Sequence, residues 1–109
     1  MSSEGAGQDF RTVARVGEVP DGAGRPFEVD GRMIAVFRDG DAYFAADDEC
    51  PHQGTTLWDG AVCDGSVTCR WHGWRFALAD GSWVENPRIR VPTHPVRVVG
   101  DEIQVALSP

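Results

Sequence analysis

The sequence predicts an all-β fold, and three observations predict it. Asp-Gly pairs stand between short apolar runs at 30–31, 39–40 and 64–65. Such pairs are a strong hairpin signal, because both turn positions need a positive φ that aspartate and glycine tolerate. No long segment carries a helical period. Prolines 87, 92 and 95 fall where edge strands and loops accept a missing N–H.

Taken in order, residues 1–8 are small and polar and are expected to form a loose tail. Phe10 to Val16 alternates weakly and is read as a first strand, followed by a turn at Pro20-Asp21-Gly22. Arg25 to Val29, Arg32 to Arg38 and Ala42 to Ala45, joined by Asp30-Gly31 and Asp39-Gly40, read as a β-meander. Asp47-Asp48-Glu49 leads out of it. Thr55 to Asp59 is read as a short turn of helix. Ala61-Val62-Cys63 and Ser66-Val67-Thr68 flank Asp64-Gly65 as a hairpin. Trp74 to Leu78 and Ser82 to Val84 make another around Ala79-Asp80-Gly81. Ile89 to Val91, Val96 to Val99 and Ile103 to Leu107 complete the strands, the last two joined through Gly100-Asp101.

Length and charge bound the function. At 109 residues the chain is one domain with room for a small core. Ten basic against seventeen acidic residues give a net charge of −7. That argues against nucleic acid and anionic membrane as partners. It suits docking on a basic protein surface, or equally serves solubility alone. No apolar run nears the roughly 20 residues of a membrane span. Met1 to Asp9 lacks the basic and apolar regions of a secretory signal. Three cysteines make no disulfide framework once two are assigned as ligands, so a cytoplasmic location is expected.

The chain is organised around two boxes. The first is Cys50-Pro51-His52-Gln53-Gly54 and the second Cys69-Arg70-Trp71-His72-Gly73-Trp74. Each pairs a thiol with an imidazole and is followed by glycine, and sixteen residues separate His52 from Cys69. Cysteine and histidine this close can share one side of a loop tip. Two such tips make a cage of two thiolates and two imidazoles, which suits zinc or an iron–sulfur cluster. Zinc sites of this composition usually pair like with like, Cys with Cys and His with His. Here each box carries one of each.

This pattern resembles the Rieske family, in which Cys-x-His and Cys-x-x-His stand about fifteen to seventeen residues apart. The resemblance implies a [2Fe–2S] cluster with one iron on Cys50 and Cys69 and the other on His52 and His72. It also implies an antiparallel β-sandwich base, residues 9–46 and 77–109, with a small cluster-binding subdomain, residues 47–76, inserted in it. Gly54 and Gly73 would let backbone approach the sulfides closely. Rieske proteins of cytochrome bc-type complexes add a cysteine to each box as a disulfide, and this chain has Gly54 and Trp71 thereabouts. Those proteins also place Ser and Tyr hydroxyls after the second box, where Trp74 and Phe76 stand here. Fewer donors imply a potential nearer about −150 mV than about +300 mV. Two departures bear on tuning: Arg70 replaces a frequent proline, and Ala77 a frequent aspartate.

Other residues are read more plainly. Cys63, mid-hairpin beside Val62, is read as a small buried packing residue and not as a third ligand or redox thiol. His94 is read as a loop or surface histidine and not as catalytic. Trp71 and Trp74 flank His72 and either shield the cluster rim or simply pack, as do Trp58 and Trp83. Pro87 matches the loop that covers the cluster from a third side in the family.

The resemblance thus implies a monomeric one-electron carrier, not an enzyme, between a flavoprotein reductase and a terminal oxygenase. One alternative keeps the cluster in the small subunit of a nitrite reductase-like complex. The other is a zinc-stapled binding module with no redox role.

Overall fold

Two-residue turns set the register of the chain. The structure, a computed structural model, describes residues 9–50, 55–71 and 73–108. Its twelve strands are β1 (Arg11–Arg15), β2 (Gly24–Val29), β3 (Arg32–Asp39), β4 (Ala42–Asp47), β5 (Ala61–Cys63), β6 (Ser66–Thr68), β7 (Arg75–Ala77), β8 (Ser82–Trp83), β9 (Asn86–Arg90), β10 (Thr93–His94), β11 (Val96–Val99) and β12 (Glu102–Val105). At the β2–β3 turn Asp30 and Gly31 have φ of 50° and 82°, and Val29 pairs with Arg32. Between β5 and β6 Asp64 and Gly65 have φ of 54° and 74°, and Cys63 pairs with Ser66. Both are the expected hairpins with positive φ at both turn positions.

The turn expected at Asp39-Gly40 sits one residue further on. Asp39 ends β3 opposite Ala42, so Gly40 and Asp41 are the turn, and of the two only Gly40 is left-handed, at φ 65°. Glycine alone in the first position is the II′ pattern. The Gly100-Asp101 turn between β11 and β12 repeats it, with Gly100 at φ 63°.

All pairs are antiparallel and form three sheets, ordered β1-β12-β11, β10-β4-β3-β2 and β5-β6-β7-β8-β9. The fold is almost entirely β, with a single 3₁₀ turn at Val16–Glu18 among the described residues. The turn of helix expected over Thr55–Asp59 is instead an irregular turn. Its Leu57 and Trp58 amides bond the Asp48 carboxylate, and the Gly60 amide closes the turn on the Leu57 carbonyl at 3.0 Å. Strand β10, which the sequence does not signal, pairs Thr93 with Ala46 and His94 with Ala45. Pro87 lies within β9, on the edge of the five-stranded sheet, and not in a loop.

Two apolar cores lie on opposite faces of the four-stranded sheet. Ile34, Val36 and Ala45 face Ala14, Val19, Ile103 and Val105. Ala35, Phe37 and Ala46 face Leu57, Val67, Phe76 and both Cys50 and Cys69. Strand β3 is therefore buried on both sides from Ile34 to Phe37, as its unbroken apolar run requires.

One glycine sits tightly against the chain that leaves β9. Gly81 has φ 76°, and a Cβ there would collide with the Val91 carbonyl, whose amide bonds the Gly81 carbonyl at 2.9 Å. Gly81→Ala is therefore expected to lower stability by about 2–4 kcal/mol, read from the midpoint of denaturant unfolding. A variant as stable as the parent would show that this backbone contact relaxes freely.

Candidate metal centre

Cys50 and Cys69 each begin a loop that closes with the same kind of hydrogen bond. Cys50 donates its amide to the Thr55 carbonyl at 2.7 Å, and Cys69 donates to the Trp74 carbonyl at 2.7 Å. Both bonds close on the fifth residue after the cysteine, so the two loops are equal in length. In the second, the Gly73 amide also bonds the Cys69 carbonyl at 3.0 Å, with Gly73 at φ 73°. The two cysteines are 0% and 1% exposed and share one apolar core. His52 and His72, the expected imidazole ligands, lie outside the described residues, as does Gly54. Among the described residues no three His, Cys, Asp or Glu side chains converge on one point.

Asp48 anchors the first loop, a role the sequence reading missed. One carboxylate oxygen accepts the amides of Leu57 and Trp58 at 2.8 and 2.9 Å. Burial raises the Asp48 carboxyl above its ordinary value, the two amide bonds pull it back, and the Asp59 charge adds to the rise. An acid just ahead of a ligand loop and a polar turn beyond it was the available signal.

One residue earlier, Asp47 belongs to a second anchor. His94 is buried, not on the surface as expected. Its Nδ1 accepts the Ser108 amide at 2.9 Å, so Nε2 carries the hydrogen and donates to Asp47 Oδ1 at 2.8 Å. Arg32 joins with bonds of 3.0 Å to that oxygen and 3.0 Å to the Ser108 carbonyl. This network holds the end of β4, from which the first loop departs.

The tryptophans divide by role. Trp74 stacks on Trp83 with ring centroids 3.6 Å apart and planes 2° apart, and Trp58 packs against the cysteine core. Trp71 is 54% exposed under the Arg70 guanidinium, 5.7 Å from its ring centre, and Arg70 bonds Asp59 at 3.3 Å. Cys63 faces solvent, contrary to the buried packing role expected of it. Asp64, by its charge and a hydrogen bond, raises the Cys63 thiol above its ordinary value. None of the three cysteines, all of which are described, forms a disulfide.

Known proteins resemble this chain in sequence and fold. A family model, Rieske [2Fe-2S] domain, matches residues 9–99. The biphenyl dioxygenase ferredoxin subunit of Pseudomonas sp. is 30% identical over 102 residues, covering 91% of this chain and 93% of its own. The NADH-dependent nitrite reductase small subunit from Mycobacterium tuberculosis superposes with a TM-score of 0.87 at 31% identity, over 94% and 97% of the two chains. The ferredoxin of carbazole 1,9a-dioxygenase from Nocardioides aromaticivorans does so with a TM-score of 0.82 at 29%, over 91% and 98%. Among the described residues no helix is long and apolar enough to cross a membrane.

Two predictions follow from these contacts. Asp48→Ala orphans two amides and is expected to cost about 1–3 kcal/mol and to reduce bound iron, while Asp48→Asn, which keeps an acceptor oxygen, recovers most of both. Unfolding midpoints and iron assays check it, and equal losses in the two variants would refute the anchor. Cys63 should be the cysteine that iodoacetamide modifies first. Only the thiolate reacts, and a raised thiol holds less thiolate at neutral pH. Modification is therefore slow there, continues to climb at alkaline pH, and speeds up at fixed pH in Asp64→Asn. Peptide mass spectrometry measures each rate.

Proposed function

The chain belongs to the Rieske [2Fe-2S] domain family, and from that membership we propose a one-electron carrier that takes electrons from a flavoprotein reductase and gives them to a terminal oxygenase. The observation that carries the reading is the pair of equal loops opening on two buried cysteines of one core. The donor set fits the group. Two sulfurs in apolar surroundings, neither in a disulfide, are stable as thiolates only where a cation neutralises them. Cys50 and Cys69 would hold one iron, and His52 and His72 the other. When bound, the cluster accepts and releases a single electron.

The chain's own residues do the rest. The core around Cys50 and Cys69 excludes water from the sulfurs. The two amide closures and the Asp48 anchor hold the loops so that little rearranges between oxidation states. Residues 47–76 carry these loops on a base formed by 9–46 and 77–109. Trp71, flat and exposed beside the second loop, is suited to anchor a partner, and its Arg70 neighbour to choose one with an acidic rim. We place the carrier in the cytoplasm as a monomer, without nucleic acid or membrane.

One observation favours a second reading. The high likeness to a nitrite reductase small subunit suits a subunit held in a stable complex. Ferredoxins of dioxygenase systems match over equally complete lengths, and the carrier reading stands ahead. Purification as a free monomer supports the carrier, and co-purification with a large reductase subunit supports the complex.

The purified protein is expected to be red-brown, to bleach with dithionite and to give a reduced EPR signal with average g below 2. Cys69→Ser and His72→Ala should each abolish that absorption. A colourless protein with bound zinc would overturn the electron-carrier reading, and normal absorption in either variant would overturn the ligand assignment.

A further inference from the structure

Thr55 touches both cysteines. Its carbonyl accepts the Cys50 amide at 2.7 Å, and its hydroxyl lies 3.9 Å from Cys69 Sγ, partly buried between the loops. That distance is long for an O–H···S contact, but both sulfurs are withdrawn from water, where competition from solvent is weakest. The pair could bond in either direction while the sulfur carries a proton. Once the sulfur is an iron ligand it is a thiolate, with no hydrogen to give, and only the threonine can donate.

We propose that Thr55 is a positioning residue of the cluster, its hydroxyl donating to Cys69 Sγ and thereby raising the reduction potential. This rests on the assignment of Cys69 as a ligand. Reduction of a bound cluster would add one negative charge to the group that Cys69 would help to hold. The positive end of the O–H dipole stabilises the added charge more than it stabilises the oxidised state. The absence of hydroxyls after the second box implied fewer donors to the cluster. The structure supplies one from after the first box, across the gap between the loops. The same residue meets both loops, its backbone bonded to one cysteine and its side chain in contact with the other.

The test compares Thr55→Val, which keeps the shape and loses the hydroxyl, with Thr55→Ser, which keeps the hydroxyl and loses the methyl. Iron content, visible and EPR spectra and the midpoint potential are measured for the parent and both variants. The expected result is full iron in all three, a more negative potential in Thr55→Val, and a potential near the parent's in Thr55→Ser. An unchanged potential in iron-loaded Thr55→Val would overturn the proposal, as would equal shifts in both variants, which would trace the effect to altered packing at this position and not to the hydroxyl. If Thr55→Val loads poorly, Thr55→Ala takes its place. Loss of iron in both of these with normal loading of Thr55→Ser supports the hydroxyl contact, and loss in all three refutes it. A parent with no reduced-cluster signal would instead sink the electron-carrier reading, so the two failures are distinct.

Discussion

The structure depends on one strand being buried on both faces. From Ile34 to Phe37 β3 offers alternate side chains to two separate cores. One core closes the four-stranded sheet against β1 and β12. The other accepts the five-stranded sheet and the two cysteines. Residue size follows from this. Ala35 pairs with Ala46, both small and both facing the cysteine core, and the space above them is filled by Phe37, Leu57 and Phe76. Gly24, opposite Phe37 in β2, has no room for a Cβ because the Phe37 ring and the Trp58 carbonyl already occupy it. A one-residue slip of β3 would exchange Ala35 and Phe37 for Ile34 and Val36 and misfit both cores together.

The ligand loops inherit their positions from that sheet. The four-stranded sheet ends at Asp47, and the His94–Asp47–Arg32–Ser108 network fixes that end. His94, the buried member, has a partner on each ring nitrogen, and losing either would leave a desolvated polar group. Asp48 then ties the departing chain to the turn beyond the first loop. The second loop leaves the end of β6, and Gly60 admits the carbonyl of Thr68 at close range, one residue before Cys69. Both cysteines thus stand where strand ends and hydrogen-bonded turns place them.

Much of this was legible in the sequence, and the misreadings have physical causes. Asp30-Gly31 and Asp64-Gly65 form the turns read from them, whereas Asp39-Gly40-Asp41 offers two overlapping turns and the structure takes the later one. Cys63 was expected to be buried because Val62 beside it is apolar. Strict alternation along a strand puts neighbours on opposite faces, and Val62 points in while Cys63 points out. His94 was misread because its strand is two residues long between Pro92 and Pro95, too short for any periodicity. Its burial comes from partners far away in sequence, at Asp47 and Ser108. The anchors Asp48 and Thr55 were missed for the same reason: a hydrogen bond across the fold leaves no local pattern.

The difference between the two boxes has a structural consequence. One residue separates Cys50 from the next histidine and two separate Cys69 from its own, yet both loops close on the fifth residue after the cysteine. The extra position before His72 gives the second loop a pair of outward side chains, Arg70 and Trp71. They are held by Asp59, which sits in the turn that Asp48 pins through Leu57 and Trp58. An exposed ion pair of this kind contributes little stability, at most about 1 kcal/mol. Its effect is orientation: the guanidinium lies over Trp71 and keeps the indole presented beside the second loop. The contacts that fix the turn beyond the first cysteine loop thereby also orient the exposed face of the second.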